Sequence, residues 1–294
     1  MSPLIVGGRT IFGALSSQPT GITTTAGSEY YDTTDSKMKF YNGTDWAELS
    51  TTSSNFAGTD ATHWWKNEGI VSATSWTAEK GGFNFAQSLN GSLTYSATDS
   101  NFNNLKSITN NTSDTVGLYV AGSAGDFWDG SSGYSVIVVM RKTQHNSGTS
   151  YGDCVFSQTR NDTVADGSLS IDLVGDHSWG GQYGEQLGYI APPGSYPQKG
   201  ILLLRVGANG ANTSLEWWPA GGSSWSVRGT ASSFANGVSG NNYKGVSLFN
   251  FQHGAANSHR YTGSIAEVAY FKNLRISDST RDAWKNYIVS KFGF

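Results

Sequence analysis

The chain is short of charge. Lys and Arg number 19 and Asp and Glu 22 among 294 residues. That is 14% in all, against about 25% for an ordinary soluble domain. With a net charge of −3 and its basic residues spread thinly, the chain offers no positive footprint for nucleic acid. One cysteine, Cys154, excludes an internal disulfide and leaves the redox compartment unread. Long apolar runs are also missing. The longest, Val136–Met140 and Ile201–Leu204, are strand-sized, far short of the roughly 20 residues that a membrane-spanning helix needs, so no membrane insertion is expected. Arg9 interrupts the apolar stretch of MSPLIVGGRTIFGAL with no basic region before it, so no secretory signal is expected. Proline is scarce, at 6, and even with 37 glycines the composition stays below that of low-complexity disorder.

What is abundant is aromatic: 13% of the chain, with 10 Trp, 14 Tyr and 14 Phe. Short apolar or alternating runs recur at Tyr134–Met140, Cys154–Ser157, Leu169–Val174, Ile201–Val206, Leu215–Trp218, Val246–Phe251 and Ser264–Phe271. Asn-Gly and Gly-Gly pairs such as Asn90-Gly91, Asn209-Gly210 and Gly221-Gly222 punctuate them, as turns do between strands. Many strands without a strand–helix alternation imply an all-β, antiparallel sandwich. A single helix is expected near the end. There Trp284, Tyr287, Ile288 and Lys291 fall at i, i+3, i+4 and i+7, after Ser277-Asp278 as a cap and before Gly293 as a stop.

The first fifty residues differ. SSQPTGITTTAG is a polar spacer, and SEYYDTTDSKMKFYNGTDWAEL follows it. Strict alternation in Lys37-Met38-Lys39-Phe40 between two turns predicts a three-strand meander with Tyr30, Met38, Phe40 and Trp46 on one face. Such a unit is too small to stand alone. The chain is therefore divided into an N-terminal arm with its meander, 1–52, and a main domain, 53–294. The PLIV and TIFGAL patches of the arm are expected to bury only against another chain.

Two stretches carry resemblances. Tyr31-Asp32-Thr33-Thr34, Lys37, Lys39, Tyr41-Asn42-Gly43-Thr44 and Trp46 resemble a short module recurrent in bacteriophage tail-fibre and other virion proteins. From about residue 53 to 294 the chain is similar to the concanavalin A-like (laminin G-like) jelly-roll superfamily. The similarity is most specific at Gly263, Ile265-Ala266-Glu267, Ile276-Ser277-Asp278 and Lys291-Phe292-Gly293. These resemblances imply a two-sheet jelly roll closed by a C-terminal helix and preceded by a small attachment arm.

Catalytic patterns are lacking. A retaining glycosidase needs two carboxylates about 5 Å apart. Relatives that cleave sugars set them on one strand as Glu-x-Asp-x-Glu, and no such pattern occurs here, with Glu185, Glu216 and Glu267 each standing alone. Cys154 in GDCVFS, with His145 or His177 as a base, reads more plainly as a small buried hydrophobe. No CxxC or HExxH pattern suggests zinc. No cofactor is expected, with calcium the one ion that Asp126 and Asp129 in AGDFWDG would suit, although Asp in such loops commonly just makes turns. Aromatic platforms for sugar remain. Trp179, Gln182 and Tyr183 are expected in an exposed Gly-rich loop, and Trp128 and Trp65 are further candidates.

The expectation is thus a non-enzymatic protein of a virion surface, a capsid decoration protein or short fibre. Its arm would dock on other virion proteins while a lectin-like domain faces outward. A host-polysaccharide adhesin is the alternative, and a glycosidase is less favoured. A fibre role would suit a homo-oligomer, but no heptad or collagen repeat supports one.

Overall fold

A computed structural model of the chain describes residues 4–6, 9–17, 28–34, 37–41, 44–48, 58–87, 91–111, 116–122, 126–127, 132–143, 153–159, 169–174, 177–180, 186–188, 197–208, 211–231, 245–249 and 261–294. Contacts divide the chain into two compact units, Met1–Phe56 and Ala57–Phe294.

In the larger unit, Tyr134–Lys142 and Gln198–Val206 carry near-continuous apolar runs, the pattern of strands covered on both faces. They pair antiparallel, Val138 opposite Leu202 and Ile137 opposite Leu203. Among the described residues their sheet has eight strands. The order is Thr94–Asp99, Leu105–Asn110, Gly263–Phe271, Tyr134–Lys142, Gln198–Val206, Thr213–Pro219 and Ser226–Ala231, with His63–Trp65 also paired to Gly263–Phe271. A nine-stranded sheet runs Gln186–Gly188, His177–Gly180, Leu169–Val174, Asp153–Thr159, Gly245–Leu248, Leu118–Ala121, Phe85–Gln87, Ser75–Trp76 and Ile70–Ser72. Its strands alternate: Leu118, Val120, Val246 and Leu248 join the core, while Tyr119 and Ser247 take the other parity. Val136, Val138, Met140, Leu202 and Leu204 meet them from the first sheet. The larger unit is therefore the expected two-sheet antiparallel sandwich.

Beyond the eight-stranded sheet lies a third layer, the helix Asp278–Phe292. Ser277 caps its start, accepting a hydrogen bond from the Thr280 N–H at 3.1 Å. Gly293 stops it at φ 68°, a left-handed conformation that glycine tolerates, with its N–H donating to the Val289 carbonyl. Asp278 in the first turn and Lys291 in the last complement the helix dipole. Trp284, Tyr287, Ile288 and Phe292 are buried against the sheet, where Trp284 meets Trp64 at 5.0 Å and Phe271 at 5.4 Å between ring centroids.

This third layer corrects one expectation. Adjacent tryptophans on a strand should send one ring inward and one to solvent, yet Trp64 and Trp65 are both buried, as are Trp217 and Trp218. Trp65 and Trp217 join the core between the sheets, and Trp64 packs under the helix. A second difference lies at Val246–Phe251, where the strand ends at Leu248 because Phe249 turns the chain at φ 66°.

The smaller unit is one sheet of five strands in chain order: Leu4–Val6, Arg9–Leu15, Glu29–Asp32, Lys37–Tyr41 and Trp46–Glu48. The expected meander forms its last three. The stretch before it joins the same sheet, since Leu4–Val6 and Arg9–Leu15 pair antiparallel and the latter joins Glu29–Asp32 in parallel. The Asp32-Thr33-Thr34 turn secures that join. Both Thr33 N–H and its hydroxyl donate to the Leu15 carbonyl, and the Thr34 hydroxyl donates to that of Ser16. Register also separates the four residues expected on one face. Tyr30 meets Trp46 at 4.9 Å, but Tyr31 pairs with Met38 and Glu29 with Phe40, one residue out of phase with Tyr30.

Helix burial carries a measurable cost. Trp284→Ala is expected to lower unfolding stability by about 3–5 kcal/mol. Asn286→Ala, on the exposed side of the same helix, should change it by less than about 0.5 kcal/mol. Denaturant titration of the two variants checks both.

Candidate functional site

The two described residues singled out for ligand contact, Trp65 and Trp179, lie on different sheets. Trp65 is fully buried in the core, with its ring 4.6 Å from that of Phe85 and its indole N–H donating to the Phe83 carbonyl at 2.6 Å. It is not a surface platform, because its strand feeds one side into the sandwich. Trp179 lies within the strand His177–Gly180, paired with Asp172, and not in a loop. Gln182, Tyr183, Trp128 and Asp129 lie outside the described residues. Asp126 is described, and its backbone carbonyl accepts a hydrogen bond from His63 Nε2 at 3.0 Å. Among the described residues, no group of three His, Cys, Asp or Glu side chains comes together. Cys154 is buried, its thiol donating to the Phe156 carbonyl at 3.4 Å.

The sandwich leaves one sheet face without a helix among the described residues: the outer face of the nine-stranded sheet. Its register sets Ala86 beside Tyr119, Tyr119 beside Ser247, Ser247 beside Ser157 and Ser157 beside Ser170. One step further along, Asp172 pairs with Trp179 and Trp179 with Gln186. Tyr119, Ser247 and Ser157 are all buried, and the Ser247 hydroxyl has no hydrogen-bond partner. Gly245 makes the Tyr119 position possible. A Cβ there would meet the ring at Cε2, 2.5 Å away, so only glycine lets the phenol lie on the backbone. Tyr119, Ser157 and Ser247 thus form a buried strip of small hydroxyls beside an aromatic ring, closed to ligands. Sequence patterning marked the alternation Leu118-Tyr119-Val120 and Val246-Ser247-Leu248. It carried no signal that these two strands are neighbours, because 128 residues separate Tyr119 from its partner Ser247 along the chain, roughly a whole domain length.

The opposite face holds the buried charge, and there every acid is engaged. Glu216, fully buried, accepts from Arg205 Nε at 2.6 Å, Ser214 Oγ at 2.8 Å and Arg281 Nη1 at 3.0 Å. Arg205 also reaches Asp278 at 2.6 Å, and its hydrogen bond and charge hold that carboxyl below the usual carboxylate range. Glu267 accepts from Trp64 Nε1 and from Lys291 Nζ, each at 2.8 Å. Burial pushes Glu267 up, partly offset by the Lys291 charge. Lys291 Nζ also donates to Glu68 and to the Tyr287 hydroxyl, each at 2.9 Å. Burial and the nearby Glu267 charge push the Tyr287 phenol far above its usual range. The two clusters pin the helix ends to the sheet, and neither frees a carboxylate for chemistry.

Removing one partner tests this. Lys291→Met strands a buried carboxylate and should cost about 3–5 kcal/mol near neutral pH. Glu267→Gln should cost less, because it removes the desolvated charge itself. Without Lys291 the folded state holds the Glu267 proton more tightly than the unfolded chain does. The deficit should therefore narrow as pH falls toward about 4.5 and widen as it rises. Urea titrations across that range would expose a pH-independent deficit, which contradicts the assignment.

No protein-family model and no curated protein matches the chain. Likeness is found among solved structures. A Trypanosoma rangeli sialidase in complex with 2,3-difluorosialic acid is 8% identical at a TM-score of 0.50, covering 90% of this chain and 44% of its own. Domain 4 of an extracellular arabinanase from Geobacillus stearothermophilus, in complex with arabinotriose, is 15% identical at a TM-score of 0.47, covering 76% of this chain and 98% of its own. A botulinum neurotoxin type C structure, described for cell entry dependent on two ganglioside molecules, is 10% identical at a TM-score of 0.48, covering 79% and 52%. The chain thus spans about half the length of the sialidase and toxin structures. At these identities the likeness is one of fold: a β-sandwich.

Proposed function

We propose that the protein is a non-enzymatic component of a virion surface, attached through its N-terminal unit and displaying the jelly-roll domain outward. The observation that carries this reading is the division into a five-stranded, single-sheet unit and a far larger sandwich with its own core and helix layer. A small sheet beside a self-sufficient sandwich suits an attachment module better than part of an active site. The Tyr31-Asp32-Thr33-Thr34 turn, which resembles the virion module, is also the turn that joins the first hairpin to the meander. Engagement of Glu216 and Glu267 by arginine and lysine further favours a non-enzymatic role. Other virion proteins are the partners of the N-terminal unit in this reading.

A second reading, recognition of host-surface glycan, is favoured by the β-sandwich fold shared with a sialidase found in complex with 2,3-difluorosialic acid. The two readings are compatible, since a displayed domain can also adsorb to cells.

Two measurements test them. A chain lacking residues 1–56 should stay folded by circular dichroism yet fail to enter particles, and normal incorporation would overturn the attachment role. On a glycan array, with and without calcium, the full chain should bind weakly. A blank array would refute the glycan reading.

A further inference from the structure

One edge of the eight-stranded sheet carries an open aromatic surface beside the helix Asp278–Phe292. The end strand there, Ser226–Ala231, pairs with Thr213–Pro219 so that Val227 stands opposite Glu216, on the helix side. Val227 is 60% exposed. Two positions back, Trp225 is half-buried on the same side, its indole N–H donating to Asp282 of the helix at 3.0 Å. The Arg281 guanidinium lies over the Trp225 ring, 5.4 Å from its centroid, and Trp218 meets that ring edge-on at 5.7 Å. These neighbours fix the Trp225 ring and still leave it partly open, the condition for a preorganised stacking platform. Over the Trp218 ring, 4.7 Å from its centroid, sits the Lys285 ammonium. Among the described residues it donates only to the Asn286 side chain, an uncharged amide, whereas Arg281 is taken up by Glu216, Asp278 and Asp282. The Trp218 ring that it covers holds a buried indole N–H with no acceptor.

We propose, on the glycan reading above, that Trp225, Val227 and Lys285 bind a saccharide bearing a carboxylate: a pyranose ring stacks on the Trp225 indole, and its carboxylate pairs with the Lys285 ammonium. The aromatic face and the Val227 methyls suit the C–H face of a sugar ring, whose hydroxyls stay hydrated. Charge selects the acid. Four cations, Arg205, Arg275, Arg281 and Lys285, share this region with three carboxylates, Glu216, Asp278 and Asp282, so one positive charge is left over. Lys285 is the cation with no carboxylate in hydrogen-bond contact and a flexible stem, so an incoming carboxylate gains a charge-assisted bond there. Drawing the ammonium toward the ligand also frees the ring face beneath it, where the Trp218 N–H lacks an acceptor that a ligand oxygen can supply. A neutral sugar gains the stacking alone. Uronates and sialates both present the required chemistry.

Nitrogen-15 NMR of the tryptophan indoles in the full chain tests this, with digalacturonate and sialyllactose as acidic probes and lactose as the neutral one. An acidic probe should shift the Trp225 and Trp218 signals with a Kd about tenfold or more below that of lactose. Lys285→Gln should erase that difference. Whichever acidic probe binds identifies the source as uronate or sialate. Trp225→Ala should weaken every probe by about tenfold, and should it fail to fold, Lys285→Gln decides alone. Lactose binding as tightly as the acids, or acid binding unchanged in Lys285→Gln, overturns the proposal. So do shifts evoked by a protein and by no saccharide. Silent Trp225 and Trp218 signals beside a positive glycan array overturn this site and leave the glycan reading standing, whereas a blank array removes both.

Discussion

The structure depends on burying both faces of the eight-stranded sheet. Its central strands are apolar on each side, so a second sheet alone leaves Ile137, Val139, Ile201 and Leu203 uncovered. The helix Asp278–Phe292 removes that surface from water, at about 25 cal/mol per Å² of apolar area. Its position then dictates the placement of charge. Glu216 and Glu267 lie on the helix side, and burying carboxylates there requires cations from the helix itself, Arg281 and Lys291. Scarcity of charge in the chain and the concentration of its buried ion pairs at one interface are aspects of the same constraint.

Much of this architecture was legible in the sequence. The helix could be placed closely because its signals are local: a serine cap, a glycine stop and an apolar stripe within one short segment. The long apolar strands likewise announced themselves. What could not be read was which surfaces the helix would cover. Trp64, whose burial needs a layer on the far side of its sheet, therefore carried no local mark of being covered. In the smaller unit, alternation within Lys37–Tyr41 was visible, but its phase against Glu29–Asp32 depends on pairing register, which a strand does not encode by itself.

The buried strip of the nine-stranded sheet was less legible still. Tyr119, Ser157 and Ser247 come from three strands that are adjacent in the sheet and distant in the chain, and each alone is an unremarked polar residue on an alternating strand. Reasoning from sequence favours tryptophan clusters for sugar contact, because large rings are easy to see. Here the described tryptophans serve mainly to fill space on either side of one sheet, and the strip depends on a glycine that no motif marks.

The helix layer also bears on how the chain reaches its native state. Trp64 and Glu267, hydrogen-bonded on neighbouring strands beneath it, are 203 residues apart in sequence, and contacts of such separation slow folding. Without the last strand and helix the central strands would present an apolar surface to solvent, of the kind that associates with its own copies. The final segment thus bears on self-association as well as on the stability of the finished sandwich.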